Sequence, residues 1–254
     1  MTTTNTTANT TADNAPAFYK ATRDRVDFMG VTICRPFNTN PGAARHITIT
    51  GPALHSLSLL QALFDKKLAA DKGTLLVRGA FLTEDVMHGF TAVATDSHTI
   101  AFAPISEGVA FRVRDTSGAA LHIPGEVLCA LKSKAVALEI DGGTMVVVNR
   151  DGSRLEFSGC ENCAQQGEEL FEKFTHPLKC YASPSGDEFG PFALGTATLD
   201  VLSRLSNKGE HLLRFLPPQG RNPIPFAAHR YTIGGIGPVA MAGAIAQCHL
   251  SDIA

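Results

Sequence analysis

Four residues have metal-ligand spacing. Cys160-x2-Cys163-x12-His176-x3-Cys180 offers three thiols and an imidazole, a donor set suited to tetrahedral zinc. Gly167 and Lys173 stand where a zinc finger would carry aromatic and Leu anchors. Two readings stay open: a structural zinc clip on a connector, or four unrelated residues in a Cys-containing loop. A second cluster, Asp96-Ser97-His98, puts an acid, a nucleophile and a base in consecutive positions. Neighbours on a strand point to opposite faces, so adjacent Ser and His do not assemble a triad unaided. The chain has no G-x-S-x-G elbow, no Walker-type phosphate loop and no H-E-x-x-H. Gly234-Gly235-x-Gly237 lacks the βαβ context of a dinucleotide fingerprint. A hydrolase built on His98 is the one enzymatic reading. The balance of residues points to a protein that is not an enzyme and takes no cofactor.

Such residues must be positioned by a core, and the composition supplies one. Of 254 residues, 44% are hydrophobic and 18% are charged. The 22 basic and 24 acidic side chains leave a formal charge of −2. That near balance argues against a histone-like or strongly basic nucleic-acid binder, though not against a few concentrated cations. The most apolar stretch, 233–246, is interrupted by Gly and Pro238 and is shorter than a membrane span. Residues 1–16 are nearly all Thr, Asn and Ala, with neither a basic nor an apolar region of a signal peptide. They are expected to form a disordered tail. With no secretion signal, the six cysteines are expected as reduced thiols in a cytoplasmic protein.

A pattern then recurs along the chain. Residues 46–50 (HITIT) alternate like a strand and break at Gly51-Pro52. Apolar Leu57, Leu60, Leu63, Phe64 and Leu68 follow at helical spacing over 54–70. Strand-like runs occupy 74–83, 90–95 and 98–105. The second pass has a short strand at 121–123, a helix over 126–134, and strands at 135–140, 144–149 and 154–158. The third has a strand at 192–194, a helix over 197–207, and strand candidates at 211–216, 224–228 and 231–236. Strand, helix and three strands thus occur three times. Consecutive hairpin-linked strands are antiparallel, which excludes a Rossmann-type sheet. The expected class is α+β, with helices on one face of antiparallel sheets. Residues 46–158 read as a domain of two such units, 159–190 as a connector, and 191–254 as a second, partial domain. Residues 17–45 form an N-terminal extension in which 18–28 and 31–35 could supply strands.

The runs LLVRGAFLTED (75–85) and FTAVATDSHTIA (90–101) resemble the middle domain of bacterial beta sliding clamps. That family reads Asn-Gly-x-Leu in the first run and Ala-Thr-Asp-Gly-His-Arg-Leu-Ala in the second. Here Ser97 replaces the Gly and Thr99 the Arg. LHIPGEVLCALK (121–132) is similar to the opening of the family's second half-domain. Pro223-Ile-Pro-Phe226 and Pro238-Val-Ala-Met241 resemble the end of its last domain. The usual subunit has three full domains, more than this chain shows.

The resemblance implies a non-enzymatic, homo-oligomeric protein that encircles duplex DNA without sequence preference and holds polymerases or other peptide-bearing enzymes. It implies helices turned toward phosphates, which gives Lys66, Lys67, Lys132, Lys134, Arg204 and Lys208 as the DNA-facing set. Cations near helix C-termini are also favoured by the helix dipole alone. It further implies a partner-peptide pocket at Val77, Thr95, Ser97, His98, Thr99 and Ile100, with Pro238 and Met241 from the C-terminal strand. The alternative is a clamp-fold adaptor or inhibitor that binds a protein and never encircles DNA. No membrane partner is expected.

Overall fold

The computed structural model describes residues 18–35, 45–64, 78–85, 89–105, 109–113, 121–131, 134–141, 143–158, 167–182, 194–207, 210–217, 222–233 and 235–246. Lys66, Lys67, Val77, Lys132, Cys160, Cys163 and Lys208 lie outside the described residues.

The first unit starts with β4 (Arg45–Thr50), in which Ile47 and Ile49 face inward. Gly51 and Pro52 end the strand and open α1 (Gly51–Leu59). Proline suits this first turn, where its missing N–H is not needed. A 3₁₀ turn (Leu60–Leu63) follows, so the helix is shorter than the 54–70 expected. Then come β5 (Gly79–Asp85), β6 (Gly89–Thr95), β7 (Thr99–Pro104) and β8 (Val109–Val113). The second unit repeats this order with β9 (Leu121–Pro124), α2 (Gly125–Ala130), β10 (Ala135–Asp141), β11 (Thr144–Asn149) and β12 (Arg154–Ser158).

The two units exchange their first strands. β4 pairs with β10 of the second unit, and β9 pairs with β5 of the first. The sheet orders β12-β11-β10-β4 and β7-β6-β5-β9 are therefore images of each other. Position by position, Thr50 corresponds to Pro124 and Ile49 to Ile123.

The third unit consists of α4 (Thr196–Leu205), β13 (His211–Phe215), β14 (Ile224–Thr232) and β15 (Gly235–Ile245). A strand was expected over 231–236. Instead Tyr231 and Thr232 end β14 and Gly235 and Ile236 begin β15, paired across the hairpin with Thr232 opposite Gly235. The Gly-containing run that follows, where no strand was expected beyond 236, is the 11-residue β15. β15 joins the third unit to the first by pairing with β7, Ala242 to Phe102 and Ile245 to Thr99. The outcome is a seven-stranded sheet, β13-β14-β15-β7-β6-β5-β9, and a five-stranded sheet, β12-β11-β10-β4-β8. Every pairing is antiparallel, and the chain is α+β as expected.

One core lies between the two sheets and the helices. Ile47, Leu57, Leu82, Leu128, Leu138, Leu202 and Phe226 are buried there. The opposite face of the seven-stranded sheet is also covered. A three-stranded meander, β1 (Tyr19–Ala21), β2 (Arg25–Phe28) and β3 (Val31–Cys34), lies on it. So does α3 (Gly167–Thr175) with its 3₁₀ continuation His176–Ala182, in the stretch expected to be a connector.

This second cover has a sequence cause. Phe81, Val93 and Phe102 point outward from the seven-stranded sheet, and the matching positions of the five-stranded sheet are Glu139, Val146 and Glu156. A sheet greasy on both sides must be covered on both, and each buried Phe contributes roughly 1.5–3 kcal/mol. Phe28 meets Phe102 edge-on at 6.3 Å and stacks on Tyr181 at 5.7 Å between ring centroids. The Tyr181 hydroxyl donates to the Pro223 carbonyl, tying this cover to the start of β14. Thr91 Oγ1 donates to the Thr32 carbonyl at 2.6 Å. Arg35 bridges the meander to α3 through Glu172 at 2.6 Å. Among the described residues, no helix is long and apolar enough to cross a membrane.

Candidate functional site

The 95–100 segment is the tight hairpin between β6 and β7. Asp96 Oδ1 accepts the backbone N–H groups of His98 (2.9 Å) and Thr99 (2.6 Å). The Ser97 N–H donates to Thr95 Oγ1 at 3.1 Å. Ser97 itself has φ 79°, the left-handed region, which a two-residue hairpin turn requires. A side chain there costs about 1–2 kcal/mol of strain relative to ordinary backbone, which explains why a Gly suits the position. Ser97 Oγ and His98 Nδ1 lie 3.4 Å apart and both residues are exposed. The Asp96 oxygen that could orient the imidazole holds the turn instead. Asp96→Ala is expected to destabilise the fold by about 1–2 kcal/mol, since two amides lose their acceptor. Ser97→Gly should move the urea midpoint the other way.

The expected pocket residues divide between surfaces. Thr95, Ser97 and His98 stay together at the hairpin. Ile100 faces the meander side and is 7% exposed. Thr99 is buried, and Met241 lies in the core between the sheets and helices. Pro238 is exposed on the β14–β15 ribbon. The C-terminal strand does lie along the hairpin, as the Ala246 N–H donates to the His98 carbonyl at 2.7 Å. Sequence reasoning missed Val239, which packs beside the β2–β3 turn: a Cβ on Gly30 would sit 3.2 Å from Val239 Cγ2. It also missed Phe28, Phe102 and Tyr181. The near-continuous apolar runs of β6 and β7 were the available signal, because a sheet buried on both faces loses its alternation.

On the helix side, a groove of about 740 Å³ is lined by Leu54, His55, Ser58, Leu131, Val136 and Asn207, among others. Lys134 is exposed at the head of β10, and Arg204 is exposed and paired with Asp200 at 3.1 Å. Such an exposed i,i+4 pair contributes only a few tenths of a kcal/mol. Helices α1, α2 and α4 together hold Arg204 against Glu126 and Asp200. The His55 and His211 rings are 6.5 Å apart, and the His211 value is lowered by burial and then by His55.

Of the proposed zinc ligands, His176 and Cys180 are on the 3₁₀ segment. The Cys180 thiol donates to the Pro177 carbonyl at 3.1 Å, and burial pushes its pKa up to about 11. Among the described residues, no three metal-ligating side chains cluster.

Strand exchange between paired units, helices on the shared core and a hairpin carrying Thr95-Asp96-Ser97-His98 are one architecture. The Helicobacter pylori beta clamp bound to a DNA ligase peptide superposes with a TM-score of 0.52 at 12% identity, covering 91% of this chain and 76% of that one. The chain has the sliding-clamp fold. A Pseudomonas aeruginosa DNA polymerase sliding clamp gives 0.51 at 11% identity, with the same 91% and 76% coverage. The chain spans 65% of the DNA polymerase III beta chain of Streptococcus pneumoniae, at 11% identity and a TM-score of 0.45. No protein-family model and no curated protein sequence matches it. At these identities the likeness concerns the clamp fold alone.

Proposed function

We propose that the protein is a sliding-clamp-like tether, without chemistry of its own, that holds replication or repair enzymes on duplex DNA in the cytoplasm. The observation that carries this reading is the match of 91% of the chain to clamp structures, with the paired-unit architecture intact. Lys66, Lys67, Lys132, Lys134, Arg204 and Lys208 would make the phosphate contacts. Few such contacts give weak, sequence-independent and salt-sensitive binding, which suits sliding. The exposed hairpin surface at Thr95, Ser97 and His98, with Val77, would take an extended peptide with apolar anchors; Thr99, Ile100 and Met241 are buried and could only back it. The H. pylori beta clamp is bound to a DNA ligase peptide in its structure, which supports a partner of this kind.

The test is topological. The protein is expected to co-elute with nicked circular DNA and to be released when that DNA is linearised. Changing Lys66, Lys67, Lys132 and Lys134 to Glu should abolish retention. Retention that survives both linearisation and these changes would refute the assigned DNA face.

The adaptor reading has one observation in its favour. The described helices α1, α2 and α4 carry one cation against two carboxylates. No retention on circular DNA, together with binding of a Leu- and Phe-containing peptide, would favour it.

A further inference from the structure

The internal symmetry that makes the first two units images of each other also pairs the starts of their helices. Thr50 corresponds to Pro124, so Gly51 opens α1 where Gly125 opens α2, and His55 holds the place of Cys129. The two places are filled differently. At Gly125 the Phe64 ring lies so close to the glycine that an added Cβ would collide with it. The Gln61 amide reaches Cys129 and donates to its Sγ at 3.6 Å. At Gly51 an added Cβ would meet nothing within 4 Å, and the glycine is exposed. The helix-side groove of about 740 Å³ lies there.

The sequence accounts for the difference. Gln61 and Phe64 belong to the 3₁₀ turn that continues the first helix and to its C-cap. The second helix ends at Ala130, and Leu-Lys-Ser-Lys leads directly to β10. Unit two therefore carries no aromatic side chain to lay on Gly51. The walls of the groove come from all three units: His55 and Ser58 of α1, Leu131 and Val136 of the second unit, and Asn207 just after α4. The Asn207 amide nitrogen stands 3.4 Å from His55 Nε2. None of the lining side chains is a carboxylate, a lysine or an arginine. Leucine and valine supply apolar surface, while imidazole, hydroxyl and amide groups offer uncharged hydrogen bonding.

We propose that this groove binds a small, neutral aromatic molecule whose ring lies on Gly51 as the Phe64 ring lies on Gly125. A glycine lets a flat ring approach the backbone closely. The volume falls in the range of roughly 300–1,000 Å³ usual for small-molecule sites, with room for polar substituents beside the ring. A chain segment fits less well, because β10, the strand in the wall, is held between β4 and β11 and leaves no length of free edge for an extended peptide. A bound molecule would touch all three units at once and so stabilise the folded chain. The inference is independent of DNA tethering, since it concerns a groove apart from the 95–100 hairpin and needs no phosphate contact.

Titration of the whole protein with indole, followed by amide NMR shifts, tests it. Saturable shifts are expected at residues 54–58, 135–136 and 207, together with a rise in Tm. Benzoate, a flat ring with an ionised carboxylate, should bind about tenfold more weakly or worse, because the groove offers it no cation. Cyclohexanol, similar in size but not planar, should also bind more weakly than indole. Ser58→Phe supplies a ring from α1 itself and should raise the indole dissociation constant about tenfold. Val136→Asp, at a position 40% exposed, should weaken indole without disturbing the core, which separates loss of the site from loss of the fold. Ile233→Asp, on the distant β14–β15 ribbon, should change nothing. No saturable shift, or shifts that map away from the groove, would overturn the proposal. So would indole binding unchanged in both groove variants, or benzoate or cyclohexanol binding as tightly as indole. A Phe-containing peptide that displaces indole at far lower concentration than any free ring would assign the groove to a protein partner and overturn it equally.

Discussion

Gly243→Ala is expected to destabilise the protein by about 3 kcal/mol, the upper end of what overpacking a core costs. Gly243 lies on β15 between Phe226 of β14 and Ala101 of β7. A Cβ there would fall 2.2 Å from the Ile100 carbonyl oxygen and 2.5 Å from the Phe226 ring. The ring could turn only by leaving the core, and the carbonyl belongs to the ladder that joins the third unit to the first. The relief would therefore have to come from opening the β15–β7 pairing itself. Gly143→Ala is the control, since no atom lies within 4 Å of its added carbon. Urea unfolding should show a large loss for the first and almost none for the second. Equal midpoints would mean that β15 does not run against β7 in this register.

Acid is expected to remove about 3 kcal/mol of stability between pH 6.5 and 4 through one histidine. His122 is 4% exposed on β9, its ring 4.8 Å from that of Phe81, and neither ring nitrogen has a hydrogen-bond partner. Burial lowers its pKa from 6.5 to about 4, with Glu126 opposing and Arg78 reinforcing the shift. The sign follows from where protons bind. Above 6.5 the ring is neutral in both states, and stability is at its full value. Below 6.5 the unfolded chain takes a proton that the folded chain refuses until about 4, so stability falls across that window. His211, also lowered by burial, acts in the same direction. The contribution of His122 is therefore read as a difference. Urea midpoints of the wild type should drop between pH 7 and 5 by more than those of His122→Leu. Parallel curves would show that the ring is not buried neutral.

Both predictions fall on residues that the pattern-based reading passed over, for related reasons. His122 sits in a short strand whose partner, β5, precedes it by some forty positions, so nothing local marks the ring as buried. Gly243 lies in a run of Gly, Ala and Pro with weak strand propensity, and its pairing with β7 supplies what propensity does not. Most other elements were legible. Alternation in HITIT and in β10–β12 gave the half-exposed sheet, and Leu spacing gave three helices, though their ends were drawn too long. The 95–100 hairpin was visible as a motif, but its work is different from the chemistry that acid, Ser and His suggest. Asp96 caps two amides, and only the fold shows that the oxygen is already engaged.

Local patterning determined the three repeating units, their antiparallel class and the Leu positions of their helices. Periods of 2.0 and 3.6 residues are properties of short stretches of chain, so sequence alone carries them. Tertiary structure decided which unit exchanges strands with which, that 18–35 and 167–182 cover the second face of the seven-stranded sheet, and that Thr99, Ile100 and Met241 part to different sides. Those outcomes depend on edge pairing and face burial between segments far apart in the chain, from about forty residues between β5 and β9 to well over a hundred between β7 and β15. No local period records such a distance.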